Sequence, residues 1–223
     1  AEGSATLTIP QGQAVAALIN GAADWRDLTL TAKTEGVWPI PSIIIDLRAA
    51  DVAAEDIRAS AISGRIVATP DRRWDDESLA VAFAVTAEAA EMTSDDETIR
   101  DLLGPSATLT FQALLLDWRR LSGMTGELKT TSSSLRFAGD ADARALNGVV
   151  SFDVPNLTQA GFRSGAIAIN ATIEANLASS RWTVDGKRSA TDVAPGGAID
   201  ALLAGKQDLT FALQTTGPEQ MQL

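Results

Sequence analysis

The sequence predicts a mainly-β fold: an elongated, twisted antiparallel sheet grown by repetition, with one short helix in each unit of about 100 residues. Self-similarity is the first sign. Ile99, Leu102, Leu103, Leu109, Thr110 and Phe111 return 100 positions later as Ile199, Leu202, Leu203, Leu209, Thr210 and Phe211. A looser third copy sets Val15, Leu18, Ile19 and Gly21 ahead of Leu28, Thr29 and Leu30. Units repeating at a long period bury their apolar faces against their neighbours, so the structure extends along one axis. Period-two alternation is the second sign, because it puts residues i and i+2 on one face of a strand. Punctuation is the third. Every proline falls at or near an expected connection, and Gly139-Asp140, Asn147-Gly148 and Asp185-Gly186 carry turn chemistry, although Leu146 and Val149 flank Asn147-Gly148 closely enough for it to interrupt a strand instead.

In chain order, residues 4–9 read as a strand, 12–20 as a short helix, and 27–33, 42–48 and 57–68 as strands. Residues 79–86 set Leu79, Val81, Phe83 and Val85 against Ala80, Ala82, Ala84 and Thr86. A helix is expected over 96–103, where Ser94, Asp95, Asp96 and Glu97 supply a cap and negative charge at the positive end of the helix dipole. Leu109, Phe111, Ala113 and Leu115 then alternate with Thr108, Thr110, Gln112 and Leu114. Strands follow over 123–130, 134–139 and 146–154, and Ile167, Ile169, Ala171, Ile173 and Ala175 mark another. Residues 181–187 are a strand, 196–203 a helix, and Leu209, Phe211 and Leu213 alternate with Thr210, Ala212 and Gln214.

The repeat continues upstream of its clearest copies. Ser63, Gly64, Ile66, Ala68 and Trp74 match Ser164, Gly165, Ile167, Ile169 and Trp182, and Ile45, Asp46 and Leu47 resemble Phe152, Asp153 and Val154. Residues 1–40 are therefore read as the end of a preceding repeat, 41–120 as one unit, and 121–223 as a unit running into an incomplete next one. One continuous segment without an independent linker is expected.

Strands with large apolar residues on one side and small or polar residues on the other make a one-sided sheet. Its apolar side must be covered by a second sheet, by the curl of the same sheet, or by a bound apolar ligand. The net charge of −11 and the pI near 4.4 argue against nucleic acid or an anionic membrane surface as partner. Cysteine, histidine and tyrosine are all absent. Their absence removes thiolate chemistry, the commonest general base and the commonest neutral metal ligand. A non-enzymatic protein without catalytic residues, cofactor or metal is expected.

The "DLLG" and "ALLAG" turns before "TLTF" and "DLTF", the Leu-Asn-Gly ahead of an alternating strand, the Asp-Val-Pro-Asn-Leu run and the Ser-Gly strand start form a recognisable set. Over Ile99–Phe111, Leu146–Leu157, Ser164–Ile173 and Ile199–Phe211 the chain resembles the TamB translocation and assembly module proteins of the AsmA-like group. The resemblance implies a β-taco-like trough whose concave face is lined with aliphatic side chains. It implies a periplasmic segment of an inner-membrane-anchored protein of a diderm bacterium, serving phospholipid transport to the outer membrane or outer-membrane protein assembly. No N-terminal transmembrane helix is legible, and Leu223 falls within what reads as another repeat, so an interior segment is expected. The partners implied are phospholipid acyl chains and neighbouring repeats of the same chain. An outer-membrane assembly partner would be met only through regions outside this sequence.

The candidate site is the apolar stripe of Leu79, Val81, Phe83, Val85, Leu109, Phe111, Leu115, Ile167, Ile169, Ile173, Leu209, Phe211 and Leu213. As an open lining it would hold acyl chains by nonspecific burial, at about 0.8 kcal/mol per methylene. As a closed core it would belong to a structural or ligand-presenting extracytoplasmic module of the adhesin type. Asp75-Asp76-Glu77 and Asp95-Asp96-Glu97 are read as solvated loop and cap charge, since adjacent carboxylates rarely converge on a metal. Asp140 and Asp142 open like a calcium loop, but Arg144 follows where an oxygen ligand belongs. Trp25, Trp38, Trp74, Trp118 and Trp182 are read as edge closure or core filling, with sugar stacking as the alternative. Arg72, Arg73, Arg119, Arg120, Lys187 and Arg188 are read as charges protecting sheet edges, or as rim contacts for lipid phosphate.

Overall fold

The computed structural model describes residues 3–10, 24–159, 162–176, 178–194, 205–215 and 221–222. In order, the strands are β1 (Gly3–Pro10), β2 (Asp27–Glu35), β3 (Ser42–Ala54), β4 (Ile57–Pro70), β5 (Ala80–Ala90) and β6 (Thr93–Ser94). Helix α1 (Glu97–Leu103) comes next, then β7 (Ser106–Leu116), β8 (Arg120–Thr130), β9 (Ser134–Asp142) and β10 (Ala145–Val154). The chain continues with β11 (Leu157–Gln159), β12 (Phe162–Ser164), β13 (Ala166–Asn176), β14 (Arg181–Val193), β15 (Gly205–Thr215) and β16 (Met221–Gln222). Every segment chosen by alternation is a strand. Strands β6, β11, β12 and β16 were not foreseen, being too short to show a period. The expected helices over 12–20 and 196–203 lie outside the described residues.

One antiparallel sheet runs β1-β2-β3-β4-β5-β7-β8-β9-β10-β13-β14-β15-β16, with β6 beside β4, while β11 and β12 pair separately. Each strand bonds to the next long strand in sequence, and β1 and β16 stand at opposite ends, so the sheet does not close. The connections consequently alternate between two rims. One carries α1 and the β11–β12 hairpin; the other carries Trp38, Trp74 and Trp118. Asp96 builds α1 locally, its Oδ1 accepting from the N–H groups of Thr98 at 2.8 Å and Ile99 at 3.0 Å. At the other end of α1 the carbonyl of Leu102 accepts from Thr130 Oγ1 and Ser133 Oγ, each at 2.9 Å.

Gly139-Asp140 and Asp185-Gly186, expected as turns, lie within strands instead, and Asn147-Gly148 takes its alternative place inside a strand, which continues through it. Gly139-Asp140 is in β9, Asn147-Gly148 in β10 and Asp185-Gly186 in β14. Close backbone approach explains the first two. Gly139 and Gly148 face each other across the β9–β10 ladder, and a Cβ on Gly139 would fall against the carbonyl oxygen of Asn147 and 2.8 Å from the Cα of Gly148. Gly186 lies under the ring of Phe211, its cross-strand neighbour.

A bulge in β8 sets Ser122 and Gly123 opposite the single residue Asp140. Gly123 takes φ 58° there, which costs glycine nothing. Asp140 Oδ1 accepts from the Gly123 N–H and the Ser122 hydroxyl, both at 2.8 Å. These bonds, the Gly123 amide foremost, hold the carboxyl of Asp140 below its ordinary range.

Candidate functional site: the apolar face of the sheet

Cross-strand partners share a face, so the registers assign every strand residue to one side or the other. All the strand members of the expected stripe fall on one side, and Leu79 immediately precedes β5. Two rows run unbroken from β1 to β15 on that side. One reads Ala5, Ala32, Ile45, Ile66, Val85, Phe111, Gly126, Phe137, Val150, Ala171, Gly186 and Phe211. The adjacent row reads Leu7, Leu30, Leu47, Gly64, Ala87, Leu109, Leu128, Leu135, Phe152, Ile169, Arg188 and Leu209. Phe111 and Phe211 thus share one row, as do Leu109 and Leu209. At about 4.8 Å between strands, each row runs about 50 Å. The opposite side carries Thr86, Thr110, Glu127, Arg136, Ser151, Asn170, Lys187 and Thr210 from the same strands.

Burial on the apolar side is greatest near the rims. At the tryptophan rim Ala68, Leu79 and Val81 form a buried cluster, with Ile43, Trp74, Phe83 and Leu115 packed around it. Leu79 and Val81 are 1% exposed. Trp74 is fixed there by its Nε1, which donates to the carbonyl of Pro41 at 2.9 Å, and its ring centroid lies 6.2 Å from that of Trp118. At the helix rim Ala107, Thr130 and Val154 are buried, and the bond from Thr130 to Leu102 places α1 on this side. Between the rims the side chains are half-covered. Val85, Leu109, Phe111, Ile167, Ile169, Ile173, Phe211 and Leu213 are all partly exposed, and Leu209 is 56% exposed. Phe111 and Phe137 stack at 5.9 Å over the strand between them, where Gly126 leaves room for the rings.

The charged candidates divide clearly. Arg72 pairs with Asp71 at 2.9 Å and Arg73 with Asp75 at 2.9 Å, and in each the guanidinium holds the carboxyl below its usual range. Asp76 accepts from the backbone and hydroxyl of Ser78, Asp95 pairs with Arg58, and Asp96 caps α1. Asp142 accepts from the backbone N–H groups of Arg144 and Ala145. Among the described residues no cluster of three carboxylates could hold a metal ion.

The tryptophans do not act as a set. Trp25 is buried and Trp74 half-buried, whereas Trp38 is 71%, Trp118 52% and Trp182 41% exposed, so core filling describes only the first two. Arg188 also departs from its rim assignment. It lies mid-strand on the apolar side, between Ile169 and Leu209, while Lys187 points to the polar side. Alternation alone could have revealed this, because Arg188 has the parity of Val184 and Gly186.

Fold and face together define an unclosed, one-sided antiparallel sheet with a half-covered apolar surface. Comparison of the chain with protein-family profiles, curated proteins and solved structures finds no match for it.

Proposed function

We propose that this chain is a non-enzymatic segment of a TamB-like, periplasm-spanning envelope protein. In this reading the sheet curls into a β-taco-like groove that carries phospholipid acyl chains between inner and outer membranes or supports outer-membrane protein assembly. The observation that carries the proposal is the cross-strand row from Ala5 to Phe211, apolar at every strand and half-covered along its middle. Apolar residues left partly open along about 50 Å provide a continuous surface on which an acyl chain loses water at any position and is held at none. The units of about 100 residues, ending in β7 and β15, keep that surface in phase, since Leu109 and Leu209, and likewise Phe111 and Phe211, occupy matching rows.

A photo-crosslinking side chain placed at Phe111 or Phe211 in the intact protein should capture phospholipid. Adducts no more frequent than from Thr110 or Thr210, on the polar side, would refute the proposal. The buried cluster of Leu79, Val81 and Ala68 beneath Trp74 favours a second reading, a structural or ligand-presenting extracytoplasmic module whose apolar face is closed throughout. Absence of lipid adducts from both phenylalanines would support that alternative.

A further inference from the structure

Arg188 is the feature that an acyl-chain surface alone does not explain. Away from the two rims, Arg188 is the charged side chain that the registers put on the apolar side among the described residues; Arg58 and Asp51, toward the tip of the β3–β4 hairpin, pair with Asp95 and Arg26 respectively. Its in-strand neighbours on that side are Gly186 and Ala190, both buried, and its cross-strand neighbours are Ile169 and Leu209. Arg188 itself is half-buried. Asp71, Asp75, Asp46, Asp95 and Asp153 each hold an arginine, but no carboxylate of the described residues pairs with Arg188. Partial removal of a guanidinium from water without an anion is unfavourable, and an apolar residue would continue the row more stably.

We infer that Arg188 receives the anionic phosphate head of a phospholipid-type amphiphile whose tail lies along the row through Ile169, Phe152, Leu135 and Leu128. This rests on the groove reading above. The guanidinium fork matches phosphate oxygens, and its aliphatic stem packs on apolar neighbours. From Arg188 to Leu128 the row crosses four strand spacings, about 19 Å, and every residue on the way is apolar. An unpaired cation at one end of an apolar track selects a ligand with the same polarity: a negative head and a long tail.

The test uses the intact protein and three probes below their aggregation thresholds: hexadecyl phosphate, hexadecanol and inorganic phosphate, with affinities measured by calorimetry. Hexadecyl phosphate should bind about tenfold more tightly than hexadecanol, a difference typical of one charge-assisted hydrogen-bonded contact. Arg188→Gln should abolish that difference, Arg188→Lys should keep part of it, and Lys187→Gln, on the opposite side, should leave it intact. Equal binding of the two long-chain probes to the unaltered protein, or an unchanged preference in R188Q, overturns this inference while leaving the groove standing. Inorganic phosphate binding as tightly as hexadecyl phosphate also overturns it, because the site would then be for a free anion. Failure of both long-chain probes to bind overturns the groove reading and this inference together.

Discussion

Replacing Gly139 by alanine tests whether β9 and β10 approach as closely as the ladder places them. The added Cβ would press on the carbonyl oxygen of Asn147 and stand 2.8 Å from the Cα of Gly148, both backbone atoms that no rotamer change can move. Overpacking of this kind costs about 1–3 kcal/mol, and separating the strands weakens a ladder hydrogen bond worth about 1 kcal/mol. Removing glycine from a strand returns about 0.5–1 kcal/mol. The net expectation is a loss of about 2 kcal/mol. Gly64 provides the control, being mid-strand on the same apolar side with its nearest would-be contacts at 3.5 Å and 3.6 Å, ordinary van der Waals separations. Gly64→Ala should therefore be neutral or stabilising by about 0.5–1 kcal/mol. Urea midpoints of the two variants, with native-state hydrogen exchange read at the β9 and β10 amides, compare them directly. A Gly139→Ala midpoint equal to or above that of Gly64→Ala would refute the close approach.

Leu79→Ala should cost about 2–5 kcal/mol because the side chain is 1% exposed, whereas Leu209→Ala, at 56% exposed, should stay within about 0.5 kcal/mol; equal thermal shifts would mean the face is covered evenly. Asp96→Ala should destabilise by about 1 kcal/mol through the lost cap of α1 and speed exchange of the Thr98 and Ile99 amides, while Asp95→Ala, which removes only an exposed ion pair, should change both little. The carboxyl of Asp140 is held below its ordinary value, so its stabilising contribution is complete above the unfolded-state value near 3.9 and is lost as pH falls through the lower native one. Asp140→Asn should flatten the fall of the urea midpoint below about pH 4; parallel curves for the two proteins would show that the bulge does not depend on an ionised carboxylate.

Alternation carried most of the architecture. Each large-residue stripe, such as Leu109, Phe111 and Leu115, needs only a period of two to be assigned a face, because alternate side chains of a strand point the same way. Glycine misled for a physical reason. Gly139 and Gly186 have the composition of turns, yet they are required inside strands by contacts with β10 and with Phe211, which no local pattern encodes. The upstream part of the repeat is similarly ambiguous. Gly64 lies mid-strand in β4 opposite Ala87, while Gly165 precedes β13, so matching letters occupy different heights. For the candidate site, membership of the apolar side was legible residue by residue. Its uneven cover was not, because Trp74 and α1 reach it through connections whose paths depend on tertiary contacts. Lys187 and Arg188 read together as edge or rim charge, but adjacent strand residues face opposite ways, so only one of the two can lie on the polar side.

Strand β8 accommodates one residue more than its partners at Ser122 and Gly123 and still presents Leu121 and Met124 on the same side, opposite Leu115 and Gly139 respectively. A single inserted residue would otherwise turn every later side chain of that strand over. Length changes within this sheet are thus not equivalent. Pairs of residues can be gained or lost while the facing pattern survives, whereas odd changes require a glycine that tolerates φ 58° and an acceptor such as Asp140 for the displaced donors. Evolutionary drift, or an engineer lengthening the sheet, is therefore expected to move in steps of two inside strands and freely only in the connections.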